Sequence, residues 1–314
     1  GRSKPCDASC GDSIAPDPPA VTVRAVASTE QQPTKTVGLI AGGGRFPFEV
    51  ARSAKKQGFR VVCAGIRLEV DDAMRDEVDV FQPLGLLSFG KFVRFFKKHG
   101  ASQLSWAGWI RKERLFSWRG IFRHLPDFYF FRFFLTRLPK LDRQSQTLLG
   151  ALAREFQSHG IEIMHSAQIC PDLLVAEGPV TPREPTAKQL GDIAFGWRIA
   201  KRMAELDVGQ SVCICDRATI AVEGMEGTDR NILRAGELCR KPFVVVKLAM
   251  DGHDMRFDIP TIGPQTIRTM AKAGAAVLAI EAQRTLILER EEVLALAKQH
   301  KIAIVALSQA PDTD

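Results

Sequence analysis

The feature that most limits the possible folds of this chain is a short apolar run that passes directly into three glycines. Residues 36–41 (TVGLIA) have the pattern of a buried strand, glycines occupy positions 42–44, and a helical pattern covers residues 46–57. A second strand pattern follows at 59–64. A strand, a helix and a second strand in this order predict a β-α-β unit with a parallel sheet, and a ligand site at the carboxyl end of the first strand.

The glycines themselves indicate what that ligand is. A glycine-rich turn between a strand and a helix exposes backbone N–H groups to a phosphate, so we predict that Gly42, Gly43 and Gly44 bind substrate. A dinucleotide fingerprint would also need a glycine at the position of Pro47 and an acid ending the second strand, where Ala64-Gly65 stand. A nucleotide or sugar phosphate is therefore favoured over nicotinamide, and a tight turn without a ligand is the alternative.

A second informative stretch is the loop at residues 222–230 (VEGMEGTDR), which we call the acid loop. It holds Glu223, Glu226, Thr228 and Asp229 between an apolar run and a helical pattern. Crowded carboxylates repel one another, and a divalent cation or a shared proton is the usual reason to tolerate them. The alternative is that Thr228 or Asp229 merely caps the helix that follows.

Other polar residues complete a set suited to metal-assisted attack on phosphorus. Lys247 ends an apolar strand pattern, where a lone cation is costly unless it meets an anion. Asp192 and Glu281 are further acids in the same part of the chain, although solvent exposure would explain any one of these acids. We predict that Asp229, Lys247 and Glu226 are catalytic, that Asp229, Glu223 and Asp258 bind Mg²⁺, and that Thr228, Thr261 and Gly263 bind substrate with the glycines.

Length and composition set the outer limits. A chain of 314 residues favours two domains. We predict a disordered extension rich in Pro, Ser, Asp and Thr (residues 1–35), a Rossmann-like nucleotide- or phosphate-binding domain (36–180) and a C-terminal α/β catalytic domain (181–314), joined by a linker at 178–185. The fold class is therefore α/β, with a parallel N-terminal sheet and a second, mixed α/β domain.

Charge and cysteine content narrow the partners. The net charge of +7 suits an anionic ligand or surface, but no dense Lys/Arg block argues for nucleic acid. The seven cysteines form no C-x-x-C pair, which is typical of reduced thiols in the cytoplasm. Aromatic and basic residues alternate at 89–98 and 128–137, as in helices that lie on anionic lipid or simply in a core.

In this order, the motifs resemble one family. The chain is similar to the UDP-2,3-diacylglucosamine pyrophosphatases of lipid A biosynthesis, in their glycine-loop (LpxI-type) form. The motifs that carry this resemblance are residues 38–44 with Pro47, 171–174, 206–210, 221–229, 258–264 and 277–282.

The resemblance implies a magnesium-dependent hydrolase that cleaves the pyrophosphate of a lipid-linked UDP-sugar to UMP and a diacyl sugar 1-phosphate. It implies a Rossmann-like domain and a second α/β domain with substrate between them, and it makes Asp229 essential. Such a protein would be cytoplasmic and peripheral on the inner membrane, and a homodimer is compatible with the sequence. The chain departs from the family at Ser145-Gln146, where paired acids are usual, and at residues 106–116.

Two other functions stay open from the residues alone. One is a Rossmann-type nucleotide-dependent oxidoreductase, which Pro47 and the missing acid disfavour. The other is a non-catalytic protein that binds lipid or nucleotide, which would require an inert acid loop.

Overall fold

A computed structural model of the chain describes residues 35–110, 127, 145–250 and 259–312. The predicted metal ligand Asp258 and most of the predicted N-terminal extension lie outside these residues, as does the aromatic stretch at 128–134. Within them, residues from Thr34 to Asp314 belong to one folding unit that contains two main sheets.

The first sheet is parallel and has the strand order of a Rossmann-type fold. Its five strands follow one another in space as β3-β2-β1-β4-β5. They are β1 (Thr36–Ala41), β2 (Arg60–Ile66), β3 (Val80–Leu84), β4 (Gln103–Ala107) and β5 (Glu162–Ile163). The helices of this half are α1 (Phe46–Lys56), α2 (Met74–Glu77), α3 (Phe89–Lys98), α4 (Ser145–Ser158) and α5 (Ser166–Ile169).

The second sheet is mixed. Its six strands are ordered β6-β13-β11-β9-β7-β8, with β13, β11 and β9 parallel and β7 antiparallel to both its neighbours. They are β6 (Gly178–Pro179), β7 (Ser211–Cys215), β8 (Ala218–Val222), β9 (Phe243–Lys247), β11 (Ala275–Glu281) and β13 (Ala303–Leu307). A small parallel pair, β10 (Thr261–Ile262) and β12 (Leu286–Ile287), lies beside it.

Four helices accompany the described part of this second half. They are α6 (Ala187–Glu205), α7 (Thr228–Leu238), α8 (Pro264–Ala273) and α9 (Arg290–Gln299). Strands β7, β9, β11 and β13 are buried apolar runs, as expected for a sheet covered on both faces, whereas the edge strand β8 is partly exposed. The α/β fold class, with a parallel sheet and a second mixed sheet, is confirmed.

Local turn chemistry also agrees with the sequence. Residues 211–223 have the sequence pattern of a hairpin that turns at Asp216 and Arg217. In the structure these two residues join β7 to β8, and both adopt positive φ (52° and 56°). The carboxylate of Asp192, on α6, accepts the backbone N–H groups of both turn residues, at 3.2 and 2.7 Å. Asp192 therefore holds a hairpin in place.

The segment predicted as a linker begins inside the second sheet. Residues 178–179 form strand β6, which pairs antiparallel with β13. The buried hydroxyl of Thr181 accepts the N–H of Ile304 at 2.8 Å. The chain already contacts the second half a few residues before β6. There, Val175 donates its N–H to Thr285 and accepts the N–H of Gln283. Within the described ranges, no helix is long and apolar enough to cross a bilayer.

Candidate active site

The register of the second sheet places the acid loop and the buried lysine at the same edge. Lys247 ends β9 and lies opposite Ser211, the first residue of antiparallel β7. Val212 pairs with Val222, and the next residue, Glu223, donates its N–H to the carbonyl of Ser211 at 2.9 Å. This edge is the carboxyl end of the parallel strands β9 and β11, where ligands bind in open α/β sheets.

Hydrogen bonds within the acid loop give each of its residues a defined partner. Glu223 accepts the hydroxyl of Thr228 at 3.0 Å. Glu226 accepts the N–H of Gly224 at 3.1 Å and forms an ion pair with Arg234. Backbone N–H groups of the loop, with help from Arg234, hold the pKa of Glu226 below its usual value, so this exposed carboxylate is ionised at neutral pH.

The capping explanation for Thr228 and Asp229 is wrong. The N-cap of α7 is Gly227, with φ 83°, and no side chain caps the helix. Thr228 instead bonds to Glu223, and Asp229 reaches away from the helix end to the hydroxyl of Thr269 on α8.

Asp229 sits in a poorly hydrated position beside a cation. Desolvation raises the pKa of its carboxyl, and the charge of Lys247 and the hydrogen bond from Thr269 only partly offset this. Thr269 itself is buried. A carboxylate whose ionisation is made costly by burial is stabilised by any cation or proton that arrives with a ligand. Carboxyl groups with pKa values shifted in this way are frequent at functional sites.

Lys247 connects this cluster to the next predicted residues. Its side chain is only 7% exposed, and its Nζ donates to the carbonyl oxygen of Thr261 at 2.9 Å. Thr261 begins β10, and Gly263 follows it in an extended conformation immediately before α8. Asp229, Lys247 and Thr261, which are far apart in the sequence, are therefore brought together by the fold.

Sequence reasoning missed Asn231, the most buried polar residue of the site. Its Nδ2 donates to both Oγ (3.1 Å) and the carbonyl oxygen (3.3 Å) of Ser211. These bonds tie the first turn of α7, which carries Asp229, to the start of β7. An asparagine just inside a helix start is also common on protein surfaces, so its position alone gave no signal.

The glycine loop is held against the end of β4. Gly42 donates its N–H to Ala107, while Gly43 and Trp109 exchange two backbone hydrogen bonds of 2.9 and 3.1 Å. Gly44 has φ 90°, a conformation that favours glycine. Arg45 is the N-cap of α1 and makes no side-chain capping bond; its carbonyl accepts the N–H groups of Phe48 at 3.0 Å and Glu49 at 3.3 Å. Pro47 has no N–H, which leaves the N–H of Phe46 without a partner within the helix.

A cavity of about 460 Å³ joins the two halves. Its wall includes three predicted substrate residues, Gly43, Gly44 and Thr261, and Arg45 lies 3.9 Å from Glu289 of the second half. Thr261 lines the cavity and also accepts the bond from Lys247. The remaining lining residues are Arg45, Phe46, Trp106, Gly108, Trp109, Ser166, Ile259 and Leu288.

Glu281 has a structural role. It is buried and accepts Lys201, Arg284 and the N–H of Ala249, each at 2.9 Å, which fixes the chain leaving β9. In the described part of the chain, no three His, Cys, Asp or Glu side chains cluster as a metal site would require. The predicted ligand Asp258 lies outside that part, so the set Asp229, Glu223 and Asp258 stays a prediction.

Fold and site together define a two-part α/β protein in which a Rossmann-like glycine loop faces an edge with a carboxylate and a buried lysine. The comparisons with known proteins agree with this class. Models of the LpxI N-terminal and LpxI C-terminal domains match residues 36–173 and 176–305. The chain belongs to the LpxI family.

Individual similarities add detail. The chain is 27% identical to a Caulobacter vibrioides protein named UDP-2,3-diacylglucosamine pyrophosphatase LpxI, over 84% of this chain and 94% of that protein. Among solved structures, the biotin carboxylase domain of Hydrogenobacter thermophilus 2-oxoglutarate carboxylase is 16% identical. That similarity covers 66% of this chain but only 41% of the other, and its TM-score of 0.25 is too low to carry an argument.

Proposed function

We propose that this protein is a UDP-2,3-diacylglucosamine pyrophosphatase that releases UMP and 2,3-diacylglucosamine 1-phosphate during lipid A biosynthesis. Membership of the LpxI family along nearly all of the chain after residue 35 supports this reaction, as does the name of the Caulobacter relative. The observation that carries the proposal is the buried Lys247 beside Asp229, at the strand edge that Thr261 links to the cavity.

Each group has a role in moving a phosphoryl group. The start of α1 and the Arg45 side chain, beside the glycine loop, suit the anionic pyrophosphate. The Lys247 ammonium, held in a buried position, stabilises negative charge that grows on phosphate oxygens in the transition state. Asp229, once ionised, orients the attacking water. Glu226 is ionised but already satisfied by its own loop and Arg234, so in this proposal it shapes the acid loop around Asp229.

A magnesium ion fits the donors that this edge provides. Mg²⁺ prefers oxygen ligands and is commonly bound by one or two carboxylates together with substrate phosphates and water. Asp229 and Glu223 supply such carboxylates, and the raised pKa of Asp229 indicates a site where an added cation would favour the ionised form. When bound, the ion would neutralise phosphate charge and activate water.

The partners follow from the substrate. A lipid-linked UDP-sugar resides in a membrane, so we propose a cytoplasmic protein that acts at the inner-membrane surface, and its net charge of +7 suits an anionic surface. We propose no nucleic-acid partner, and a homodimer stays open.

The direct test is the release of UMP from the lipid-linked UDP-sugar in detergent micelles. We expect wild-type protein to release UMP and the Asp229→Ala variant to release almost none. Glu237→Ala, which alters an exposed residue of the same helix, is the matched control and should behave as wild type. A wild-type protein that releases no UMP in the presence of magnesium would contradict the proposed function.

A further inference from the structure

The cavity at the glycine loop has an unusually aromatic wall for a site expected to bind phosphate. Three of its lining residues, Phe46, Trp106 and Trp109, carry aromatic rings. A volume of about 460 Å³ lies within the range of small-molecule sites, which are typically apolar with a few placed polar groups. The wall therefore suits a flat, partly polar group better than a phosphate alone.

The glycine loop packs against one face of the Trp109 indole. A Cβ added at Gly43 would lie 2.7–2.9 Å from Cζ2, Cη2 and Cε2 of the ring, and one added at Gly44 would lie 2.9 Å from Nε1 and 3.2 Å from Cδ1. A point almost equidistant from three successive ring atoms lies above the ring, because a point in the ring plane would be clearly farther from the two outer atoms. The residue remains 47% exposed, so a stacked ligand would use the face opposite the loop.

This contact also explains, without a ligand, why glycine is required beside Trp109. A side chain at position 43 would collide with the indole, independently of any phosphate. The backbone of Gly43 is already paired with Trp109, so its N–H is committed to that partner. The Trp109 ring therefore occupies the space beside the glycines, which favours phosphate binding at the start of α1 instead.

Polar groups on the cavity wall suit a heterocycle. Ser166 lines the cavity at the start of α5; its hydroxyl lies 2.9 Å from that of Ser105 and 3.2 Å from the carbonyl oxygen of Trp106. Thr261 lies on the same wall. A wall that combines aromatic rings with a few placed polar groups suits a heterocycle with its own carbonyl and N–H groups better than an acyl chain.

We propose that Trp109 is a specificity-determining residue that stacks on the uracil ring of the substrate, with Phe46 and Trp106 completing an aromatic pocket for the base. This inference rests on the proposed function, because it assigns the nucleobase part of the same substrate to a definite place. The base then lies beside the glycine loop, and the phosphates extend past Arg45 and the start of α1 toward Thr261 and Lys247.

Binding of uridine 5′-monophosphate tests this assignment directly. We expect UMP to quench part of the tryptophan fluorescence in wild type and in Trp197→Phe, whose tryptophan lies in the core of the second half, and to quench distinctly less in Trp109→Phe, where Trp106 is the tryptophan left in the pocket. Stacking of a base on an aromatic ring has an effect of about ten- to hundredfold on affinity. Trp109→Ala should therefore raise the inhibition constant of UMP by roughly tenfold or more, and Trp109→Phe by much less.

Enzyme kinetics separate stacking from a merely structural role. Trp109→Ala should raise KM for the lipid-linked UDP-sugar while leaving kcat within about threefold of wild type. Leu206→Ala, which removes an exposed apolar side chain outside the cavity, is the control and should change neither constant. The melting temperatures of all variants identify any that fail to fold. If Trp109→Ala does not fold, the kinetic constants of Trp109→Phe are compared with those of wild type.

The failures of the two proposals differ. If wild type releases UMP but Trp109→Ala and Trp109→Phe, both folded, bind UMP as tightly as wild type, the stacking assignment is wrong and the pyrophosphatase stands. If the apolar tail of the substrate occupies this pocket instead, a diacyl sugar 1-phosphate, but not UMP, will quench the fluorescence of Trp109. That result also overturns the assignment. If wild type has no pyrophosphatase activity but UMP quenches Trp109, the base pocket stands and the proposed reaction falls.

Discussion

At the scale of single residues, the site depends on how strongly the fold desolvates Asp229. The carboxyl group lies beside buried Lys247 and accepts a hydrogen bond from Thr269, yet its pKa is raised because loss of water outweighs both. A structural ion pair would be expected to lower that pKa. The direction of the shift therefore favours a group that is stabilised by a ligand over one that stabilises the fold.

Replacement of Asp229 by alanine separates these roles. We expect turnover to fall by roughly a thousandfold, the size of effect produced by losing a group that acts in the transition state. KM should change little, because contacts to uridine and acyl chains survive. Turnover and melting temperature are measured on the same sample, and a variant that is less stable but fully active would contradict the catalytic role.

The raised pKa of Asp229 also predicts a dependence of stability on pH. The folded state holds the Asp229 proton more tightly than the unfolded state, whose pKa is near 3.8, so folding stability falls as pH rises from that value through the raised pKa. Asp229→Asn lacks this titration. The melting temperature of the variant minus that of wild type should therefore increase with pH across this window and then level off.

The measurement needs thermal unfolding of both proteins at matched pH values in the presence of a chelator, so that no bound cation changes the comparison. Other acids titrate in both proteins and cancel in the difference. A difference that decreases as pH rises would show that Asp229 is stabilised in its ionised form by the fold itself.

At the scale of structural elements, two loops at carboxyl ends of strands form the site, and each is fixed by a backbone contact. The acid loop follows β8 and is held to β7 through Ser211 and Asn231. The glycine loop follows β1 and is held to the chain after β4 through Ala107 and Trp109. Both loops are therefore part of the folded framework, which limits the motion required to order a ligand.

The glycine loop gives a matched pair of substitutions. A Cβ at Gly42 would lie 2.6 Å from the backbone carbonyl oxygen of Trp109, whereas the three atoms nearest to one at Gly43 belong to the ring of the Trp109 side chain. We expect Gly42→Ala to cost about 1–3 kcal/mol of folding free energy, because backbone must move. Gly43→Ala should lose less stability but raise KM, because an exposed ring can turn away and distort the pocket.

Denaturant unfolding and steady-state kinetics on both variants check this expectation. If Gly43→Ala keeps the KM of wild type, the loop is only a turn and contributes nothing to binding.

At the scale of the whole molecule, the cavity lies where the chain segments that follow β1 and β4 of the parallel sheet meet residues of and beside the small pair β10 and β12. The Rossmann-like half contributes the glycine loop and the aromatic wall, and the second half contributes Thr261 and, through it, Lys247. Across this cavity, Arg45 and Glu289 form an exposed ion pair at 3.9 Å, which adds little stability. Binding of substrate between the halves is thus expected to stabilise the protein.

The described core predicts which part of the chain is needed for activity. The first strand begins at Thr36, and the carbonyl of Lys35 accepts the N–H of Arg60 at 3.0 Å. A chain that begins at Thr34 retains every described contact, so we expect its rate of UMP release and its melting temperature to match those of the full chain. A folded truncated protein with most of its activity lost would assign a function to the removed residues.

The amino-acid sequence by itself determined the features that depend on neighbouring residues. The unit β1–α1–β2, the hairpin turn at Asp216 and Arg217, and the position of the acid loop before a helix all follow from hydrophobic period and turn chemistry. These signals are local, because burial of a strand and positive φ at a turn are encoded within a few residues.

Only the tertiary structure decided which of the candidate residues work together. It places Lys247 beside Asp229 and pairs Glu281 with Lys201. In the sequence, Lys247 and Glu281 have the same setting, because each is a charged residue at the end of an apolar strand. It also placed Trp109 on the glycine loop. Strand order and register set these contacts across many residues of chain, and nothing local distinguishes a strand-end charge that meets a substrate from one that meets a structural partner.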